Sequence, residues 1–149
     1  MQYTEAKQGR IFVLRLENGE VLHEVIEAFA REHQIQRAAV MFLGAANKKS
    51  RMVSGPKNEM HRPIPVIINV LESISEAHGV GTIFPDAEGR PVLHMHASFG
   101  HKEKVLTGCV RAGVNIWHVG EVVIFELLDA KGTRTLDSDT GFELVTFKD

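Results

Sequence analysis

The sequence lacks the features by which many proteins are cross-linked, anchored or exported. It has one cysteine in 149 residues, so no disulfide can form within the chain. No stretch approaches the roughly 18 consecutive apolar residues that a membrane-spanning helix needs. Residues 1–10 are polar, whereas a signal peptide would have an apolar run there. We therefore predict a cytoplasmic protein with no membrane partner.

A strong excess of charge of one sign is also absent. The chain has 17 lysines and arginines against 19 aspartates and glutamates, which gives a formal net charge of −2. Proteins that bind DNA or acidic membranes through general electrostatics usually carry a positive excess, so these partners are not favoured. The hydrophobic content of 44% is typical of a soluble globular protein. The length and the lack of a linker predict one domain over residues 1–149.

The apolar pattern predicts one helix and several strands. Leu22, Val25, Ile26 and Phe29 recur at helical spacing after Asn18, which we predict to cap the helix. Apolar or alternating runs of strand length occupy residues 9–16, 38–44, 66–74, 79–84, 91–99, 119–128 and 142–147. One principal helix packed on a mainly antiparallel β-sheet gives the α+β class.

The run from Pro91 to Phe99 places two histidines on one face of a predicted strand. Successive side chains of a strand point to opposite faces, so His94, His96 and Ser98 share one face, and the apolar residues between them share the other. Two imidazoles held side by side supply half of the ligands of a tetrahedral metal site. The alternative is a pair of histidines that only packs and forms hydrogen bonds.

Cys109 is the candidate for a third ligand. Residues 100–103 predict a hairpin connection, and the register that we expect from it pairs Cys109 with His94 and Thr107 with His96. The pairs on the core face are then all apolar or small. Two imidazoles and a thiolate suit zinc, with water or a small ligand in the fourth position.

Three further residues are candidate contacts for an anion or another ligand. Lys49 and Arg51 would share one face of a predicted strand, where they could bind a phosphate or a carboxylate; a solvated or intersubunit face is the alternative. His78 precedes the histidine pair by one strand and could add a ligand or a supporting contact, the alternative being a surface histidine. No catalytic residue is predicted, because no second catalytic group lies at a spacing that would indicate a catalytic site. Whether the chain is an enzyme stays open.

The order of short segments along the chain resembles a known family. The segments are the predicted helix and residues 9–16, 42–45, 55–56, 71–84, 89–96, 107–109, 121–124 and 140–144. In this order they resemble the plants-and-prokaryotes conserved (PPC) domain over residues 9–147. The resemblance implies an α+β fold that assembles as a homotrimer.

The resemblance also has implications for metal and DNA binding. Some prokaryotic members hold zinc on a His-x-His pair and a later Gly-Gly-His, and His94 and His96 match the pair by position. Thr107, Gly108 and Cys109 stand where the later motif is expected, so the resemblance implies a zinc site in which a thiolate replaces one imidazole. Plant members lack the pair and carry DNA-binding AT-hooks, and prokaryotic members are often labelled predicted DNA-binding proteins.

Self-association is expected on independent grounds. Residues 38–43 and 119–128 form continuous apolar runs, which need cover on both faces, whereas one helix of about 14 residues covers only part of one face. Soluble monomers rarely leave large apolar patches exposed. We therefore predict contact with other copies of the chain, in agreement with the trimer that the family implies.

Two functional hypotheses follow. The first is a homotrimeric PPC-domain protein with a zinc site open to water or a small ligand, in a small-molecule-binding or regulatory role. The second is a DNA-binding or transcription-associated regulator. The net charge and the glutamates of the predicted helix oppose the second hypothesis, whose only local basic footprint is Lys48, Lys49 and Arg51.

Overall fold

The computed structural model describes residues 1–147 as ten strands, one α-helix and one 3-10 turn. In chain order these are β1 (Lys7–Arg15), α1 (Leu22–Glu32), β2 (Ala38–Ala46), β3 (Arg51–Pro56), β4 (Val66–Val70), β5 (Ser75–Pro85), β6 (Pro91–His101), β7 (Lys104–Cys109), the 3-10 turn (Val110–Ala112), β8 (Ile116–Leu128), β9 (Thr133–Leu136) and β10 (Glu143–Thr146).

Eight of these strands form one sheet in the order β1-β8-β2-β5-β6-β7-β3-β4, and every pairing in it is antiparallel. β9 and β10 form a separate two-stranded hairpin. Helix α1 packs on one face of the large sheet and contacts β6. The predicted α+β class, with a mainly antiparallel sheet and one principal helix, is confirmed.

Helix α1 is held by a single buried stripe. Leu22, Ile26 and Ala30 are completely buried, and Val25 and Phe29 pack partly against the same core. This spacing of three and four residues is that of a helix with one face on a sheet. The predicted apolar stripe is therefore the one that holds α1 in place.

The predicted cap of this helix is wrong. The helix begins at Leu22, and Val21 in the capping position makes no side-chain hydrogen bond to it. Asn18 Oδ1 instead accepts the backbone N–H of His118 at 3.1 Å. His118 has a left-handed φ of 54°. Asn18 therefore binds the backbone at an irregular position of β8 and not at the start of the helix.

The large sheet has one covered face and one open face. Phe42 and Met95 point toward α1 and are buried in the core. Met41, Leu43 and Val80 alternate with buried residues and are more than half exposed. We call the face opposite α1 the outer face, and the candidate site lies on it.

The C-terminal hairpin covers one end of this outer face. Phe84 of β5 contacts the ring of Phe147, with ring centroids 6.2 Å apart. The guanidinium of Arg134 in β9 lies 6.0 Å from the centre of the same Phe84 ring. The sequence pattern did not predict β9, and it is this strand that carries Arg134 to the sheet.

The described strands differ from prediction mainly at their ends. β5 is longer than the predicted run at residues 79–84, and β4 stops at Val70 rather than continuing to residue 74. The chain turns at Leu71, whose N–H donates to the Ser50 carbonyl and whose carbonyl accepts the N–H of Lys49. Among the described residues, no helix is both long and apolar enough to cross a bilayer.

Candidate metal centre

Strand β6 carries the two histidines to the outer face. Leu93, Met95 and Ala97 are buried, and the residues between them, His94 and His96, are exposed. The alternation that the sequence predicted is therefore the observed one. The two Nε2 atoms lie 3.2 Å apart, and the rings are nearly perpendicular, at 78°.

The predicted register of the β6–β7 hairpin is wrong by two residues. Cys109 pairs with His96 rather than with His94, and Thr107 pairs with Ser98. The hairpin closes through a two-residue turn in which Lys102 takes a left-handed φ of 53°. A shift of two residues keeps every side chain on its predicted face, whereas a shift of one would have reversed them all.

Cys109 therefore still faces the histidine pair. One ligand atom from each of His94, His96 and Cys109 can be chosen so that all three lie within 4.8 Å of one another. Nitrogens at 2.0–2.1 Å from a tetrahedral zinc ion are separated by about 3.3 Å, close to the observed 3.2 Å. Two nitrogens and one sulfur are ligands that zinc accepts, so the donor set fits that metal with one position left open.

The surroundings of His94 favour its neutral form, which is the form that binds metal. Although the side chain is partly exposed, desolvation of the ring lowers the pKa of His94, and the nearby Arg134, His96 and Arg111 lower the pKa further. Protonation of His94 is thus opposed before any metal arrives.

Helix α1 also supports the backbone beside the histidine pair. β7 ends at Cys109, which pairs with His96, so β6 continues past the end of its neighbour. In this segment the N–H of Leu93 donates to Glu27 Oε1 at 2.9 Å. The carboxylate of Glu27 therefore fixes the strand one residue away from His94.

A shallow depression adjoins the two histidines on the outer face. It is lined by Val80, Gly81, Thr82, His94 and His96. Val80 pairs with His96, and Thr82 pairs with His94. The depression could hold a small ligand next to the open position of a bound metal.

The other candidate contacts lie outside this cluster. His78 is exposed and pairs with Ser98; since Val80 follows it by two residues, it faces the same side as Val80. Arg51 is exposed and precedes by two residues Val53, the partner of Cys109. Lys49 lies in the turn before β3, with a φ of 71°, so it does not share a strand face with Arg51.

Sequence reasoning missed two arginines near the centre. Arg134 is only 4% exposed, and it donates to the Thr82 carbonyl at 3.3 Å and to Thr82 Oγ1 at 3.2 Å. Arg111 lies in the 3-10 turn, two residues after Cys109. Arg134 stands between two threonines in a four-residue strand, a pattern too short to predict that it would contact a residue 52 positions earlier.

Several solved structures share this fold. A metal-containing protein of Archaeoglobus fulgidus matches with a TM-score of 0.84 and 23% identity, over 98% of this chain and 99% of the other. A plant- and prokaryote-conserved protein of Pyrococcus horikoshii matches with a TM-score of 0.85 and 22% identity, over 100% and 99%. A protein of Bacteroides thetaiotaomicron, provisionally named as DNA-binding, matches with a TM-score of 0.75 and 19% identity, over 97% of both chains. At these identities the likeness concerns the fold alone.

No curated protein matches the chain. Residues 3–128 match the Plants and Prokaryotes Conserved (PCC) domain, which is the PPC domain that the order of segments resembled. This match covers most of the sequence and includes β1 to β8. The chain therefore belongs to the plants-and-prokaryotes conserved domain family.

Proposed function

We propose that this protein is a homotrimer in which each single-domain chain binds one zinc ion through His94, His96 and Cys109, for a small-molecule-binding or regulatory role. The observation that carries the proposal is the convergence of three ligand atoms on the outer face, with the two Nε2 atoms 3.2 Å apart. The proposal is supported by the metal-containing protein of Archaeoglobus fulgidus that shares this fold.

The same geometry favours an ion over a direct contact between the two rings. A neutral imidazole has one N–H donor and one acceptor nitrogen, so the two Nε2 atoms form a hydrogen bond only if one of them carries a proton and the other does not. Such a bond would also leave Cys109 without a role. Three groups on one patch, one of them a thiol, are satisfied together by a zinc ion. When bound, zinc in an open site acts as a Lewis acid and lowers the pKa of bound water.

A binding or regulatory role fits the residues around the site. In the described part of the chain, the depression is lined by aliphatic, hydroxyl and imidazole groups, and no carboxylate belongs to the ligand cluster. A group able to move a proton to or from a zinc-bound molecule would be needed for hydrolysis. The open position and the depression are sufficient to hold a ligand.

Metal analysis of protein purified without a histidine tag tests the zinc site. We expect about one zinc per chain in the wild type and less than about a tenth in His94→Ala and His96→Ala, because each variant loses one of three ligands. His101→Ala, which removes an exposed histidine at the end of β6, is the matched control and should retain zinc. A wild type with as little zinc as His94→Ala would refute the proposal.

Apolar exposure supports the homotrimer. The outer face exposes Val13, Val80, Leu43 and Met41, and Val13 and Val80 are 77% and 67% exposed. In the register, Val13 pairs with Val123, Val123 with Met41, and Met41 with Val80, so these side chains form a row across four strands. A continuous apolar row on an open sheet face is typical of a protein interface.

Light scattering of the purified protein tests the assembly. We expect roughly three times the chain mass of 16.6 kDa at micromolar concentration, since closed rings of identical contacts are a common symmetry of homo-oligomers. Val13→Asp combined with Val80→Asp should shift the protein toward monomer, because charges cannot be buried there without partners. A monodisperse wild-type monomer would contradict the proposal.

DNA binding is the second candidate function. Its support is that the relative from Bacteroides thetaiotaomicron and another from Ralstonia eutropha are provisionally named as DNA-binding. Lys48, Lys49 and Arg51 are exposed and could contact phosphates, three times over in a trimer. Gel shifts at low salt test this candidate. Binding that weakens steeply with salt and disappears in the triple alanine variant would rank it above the metal-based role.

A further inference from the structure

Arg134 carries a buried charge that makes no close ion pair with a carboxylate among the described residues. The side chain is almost completely buried, and its Nε and Nη2 groups donate to the Val92 carbonyl, the Thr82 carbonyl and Thr82 Oγ1 at 3.2–3.5 Å. Within residues 1–147, none of the ion pairs closer than 4.0 Å involves Arg134. A buried cation without an anionic partner is costly, so its retention calls for an explanation.

Other charged groups around Arg134 act from a greater distance. Glu143, the Cys109 thiol and Glu27 contribute favourable charge, and Arg111 contributes unfavourable charge. Glu143 is exposed, and Glu27 is engaged with the N–H of Leu93. Among residues 1–147, none of these groups places a carboxylate oxygen within 4.0 Å of the guanidinium.

The position of Arg134 connects this charge to the candidate metal centre. It donates to Thr82, which pairs with His94 and lines the depression beside the histidines. Arg111 lies in the 3-10 turn, two residues after Cys109. A zinc ion with a single thiolate ligand keeps a net positive charge, and two guanidinium groups add to it. The resulting field attracts an anion.

We propose that the depression binds a small oxyanion, a carboxylate or phosphate group, between the open position of the metal centre and the guanidinium of Arg134. This inference rests on the proposed zinc site. Nε and Nη2 of Arg134 bind the sheet at Val92 and at Thr82, the residue through which Arg134 adjoins the depression. Among the described residues Nη1 has no hydrogen-bond partner, which leaves its N–H groups for the ligand. Arg111 adds positive charge from the adjacent 3-10 turn. Val80 supplies an apolar surface beside the anion.

A purely structural role for Arg134 makes a different prediction. In that case its hydrogen bonds to Thr82 and Val92 only hold β9 against the sheet, and replacing it would lower the melting temperature without changing the affinity of the folded protein for anions. Anion affinity in folded protein therefore separates the two roles. Arg134 lies beyond residues 3–128, which match the family, so the proposal concerns a feature outside the matched part of the domain.

The test uses the cobalt-substituted protein titrated with acetate and, separately, with inorganic phosphate. Cobalt at the zinc position reports changes in its ligands through its visible absorption. We expect saturable spectral changes with at least one of the two anions, and the tighter one identifies the group. In Arg134→Met the dissociation constant should rise about 10- to 100-fold, because a hydrogen bond to a charged group is lost. Cobalt stoichiometry should remain that of the wild type.

Two further variants keep the proposal open to refutation. Arg111→Gln changes an exposed residue and should raise the dissociation constant about threefold to tenfold even if Arg134→Met does not fold. Arg31→Met, which removes an exposed arginine of α1, has the same change in net charge and should leave anion binding unchanged. Unchanged affinity in Arg111→Gln and in every folded Arg134 variant, or no saturable binding of either anion, would overturn the proposal.

Failure of the zinc site can be distinguished from failure of this inference. If the wild type takes up no metal, the same titrations are followed by calorimetry on the metal-free protein. Binding of phosphate or acetate that is weakened by Arg134→Met or by Arg111→Gln would retain the oxyanion site and reject only the zinc. Absence of such binding would reject both.

Discussion

Zinc bound at His94, His96 and Cys109 should raise the thermal stability of the protein by a predictable amount. A ligand that binds only the folded state, present at one hundred times its dissociation constant, adds about 2.7 kcal/mol to the free energy of unfolding. For a chain of this size, 1 kcal/mol corresponds to roughly 2–4 °C. The melting temperature should therefore rise by about 5–11 °C on zinc addition and return on chelation.

Cys109→Ser tests whether the sulfur is part of that effect. Zinc sites with four protein ligands contribute about 10–16 kcal/mol, or roughly 2.5–4 kcal/mol per ligand, so the loss of one should weaken affinity roughly 70- to 850-fold. At the same zinc concentration the stabilisation then falls to about 0.5 kcal/mol or less, which is at most about 2 °C. Because Cys109 is 4% exposed, the substitution also introduces a buried hydroxyl, whose cost appears in the metal-free protein and cancels in the difference.

The assay is thermal unfolding followed by circular dichroism at fixed protein concentration, with zinc or with a chelator. His78→Ala is the matched control, since His78 is an exposed histidine on the same face but outside the ligand cluster, and it should keep the full zinc-dependent shift. A zinc-dependent rise as large in Cys109→Ser as in the wild type would refute the argument that the thiolate is a ligand.

Three further predictions concern the scaffold of the site. The Arg10 guanidinium, chiefly through its hydrogen bond, lowers the pKa of Glu126. The stability that this pair contributes should therefore be lost as the pH falls from about 4.5 through the lowered pKa. Urea unfolding at pH 3–6 should show a smaller loss of stability toward acid pH in Glu126→Gln than in the wild type. Gly81→Ala places a Cβ 2.6 Å from the His94 carbonyl oxygen and should cost about 1–3 kcal/mol while also reducing zinc uptake, measured together by unfolding and metal analysis. Met95→Ala removes a fully buried side chain and should cost about 2–5 kcal/mol, yet the folded fraction should retain zinc because the ligands lie on the opposite face.

Each of these predictions has an outcome that contradicts it. An acid transition in Glu126→Gln as steep as in the wild type would show that the pair does not control it. Normal zinc content in Gly81→Ala would show that the spacing of β5 and β6 does not determine zinc binding. Loss of zinc from folded Met95→Ala would show that core packing sets the ligand geometry.

The sequence correctly predicted the face of the sheet on which each ligand lies, but not the cross-strand pairing of Cys109. The alternation around His94 and His96 determined the outer face, because a strand with a buried side has a strict period of two. The pairing of Cys109 depended on which two residues form the turn, and Lys102 gives no glycine or asparagine signal for its left-handed conformation. The register was wrong, but by an even number of residues.

Features that arise from contacts between distant segments were not predictable. Asn18 has the residue type of a helix cap, yet its side chain bonds His118, 100 positions away. Arg134 similarly reaches Thr82 from a short strand that has no strong apolar pattern. Local propensity carries no information on such contacts, so the positive surroundings of the centre became apparent only in the folded chain.

All three proposed ligands come from one hairpin and lie on the face of the sheet opposite α1. Substitutions of the exposed His94 and His96 therefore change the chemistry of the outer face without disturbing the packing beneath α1, whereas Cys109 is buried on that face. A domain built in this way can gain, lose or exchange a metal ligand one residue at a time and still fold. A cysteine in place of a histidine is one such exchange, and it changes how tightly a metal is held and how easily the site is oxidised while the architecture stays the same.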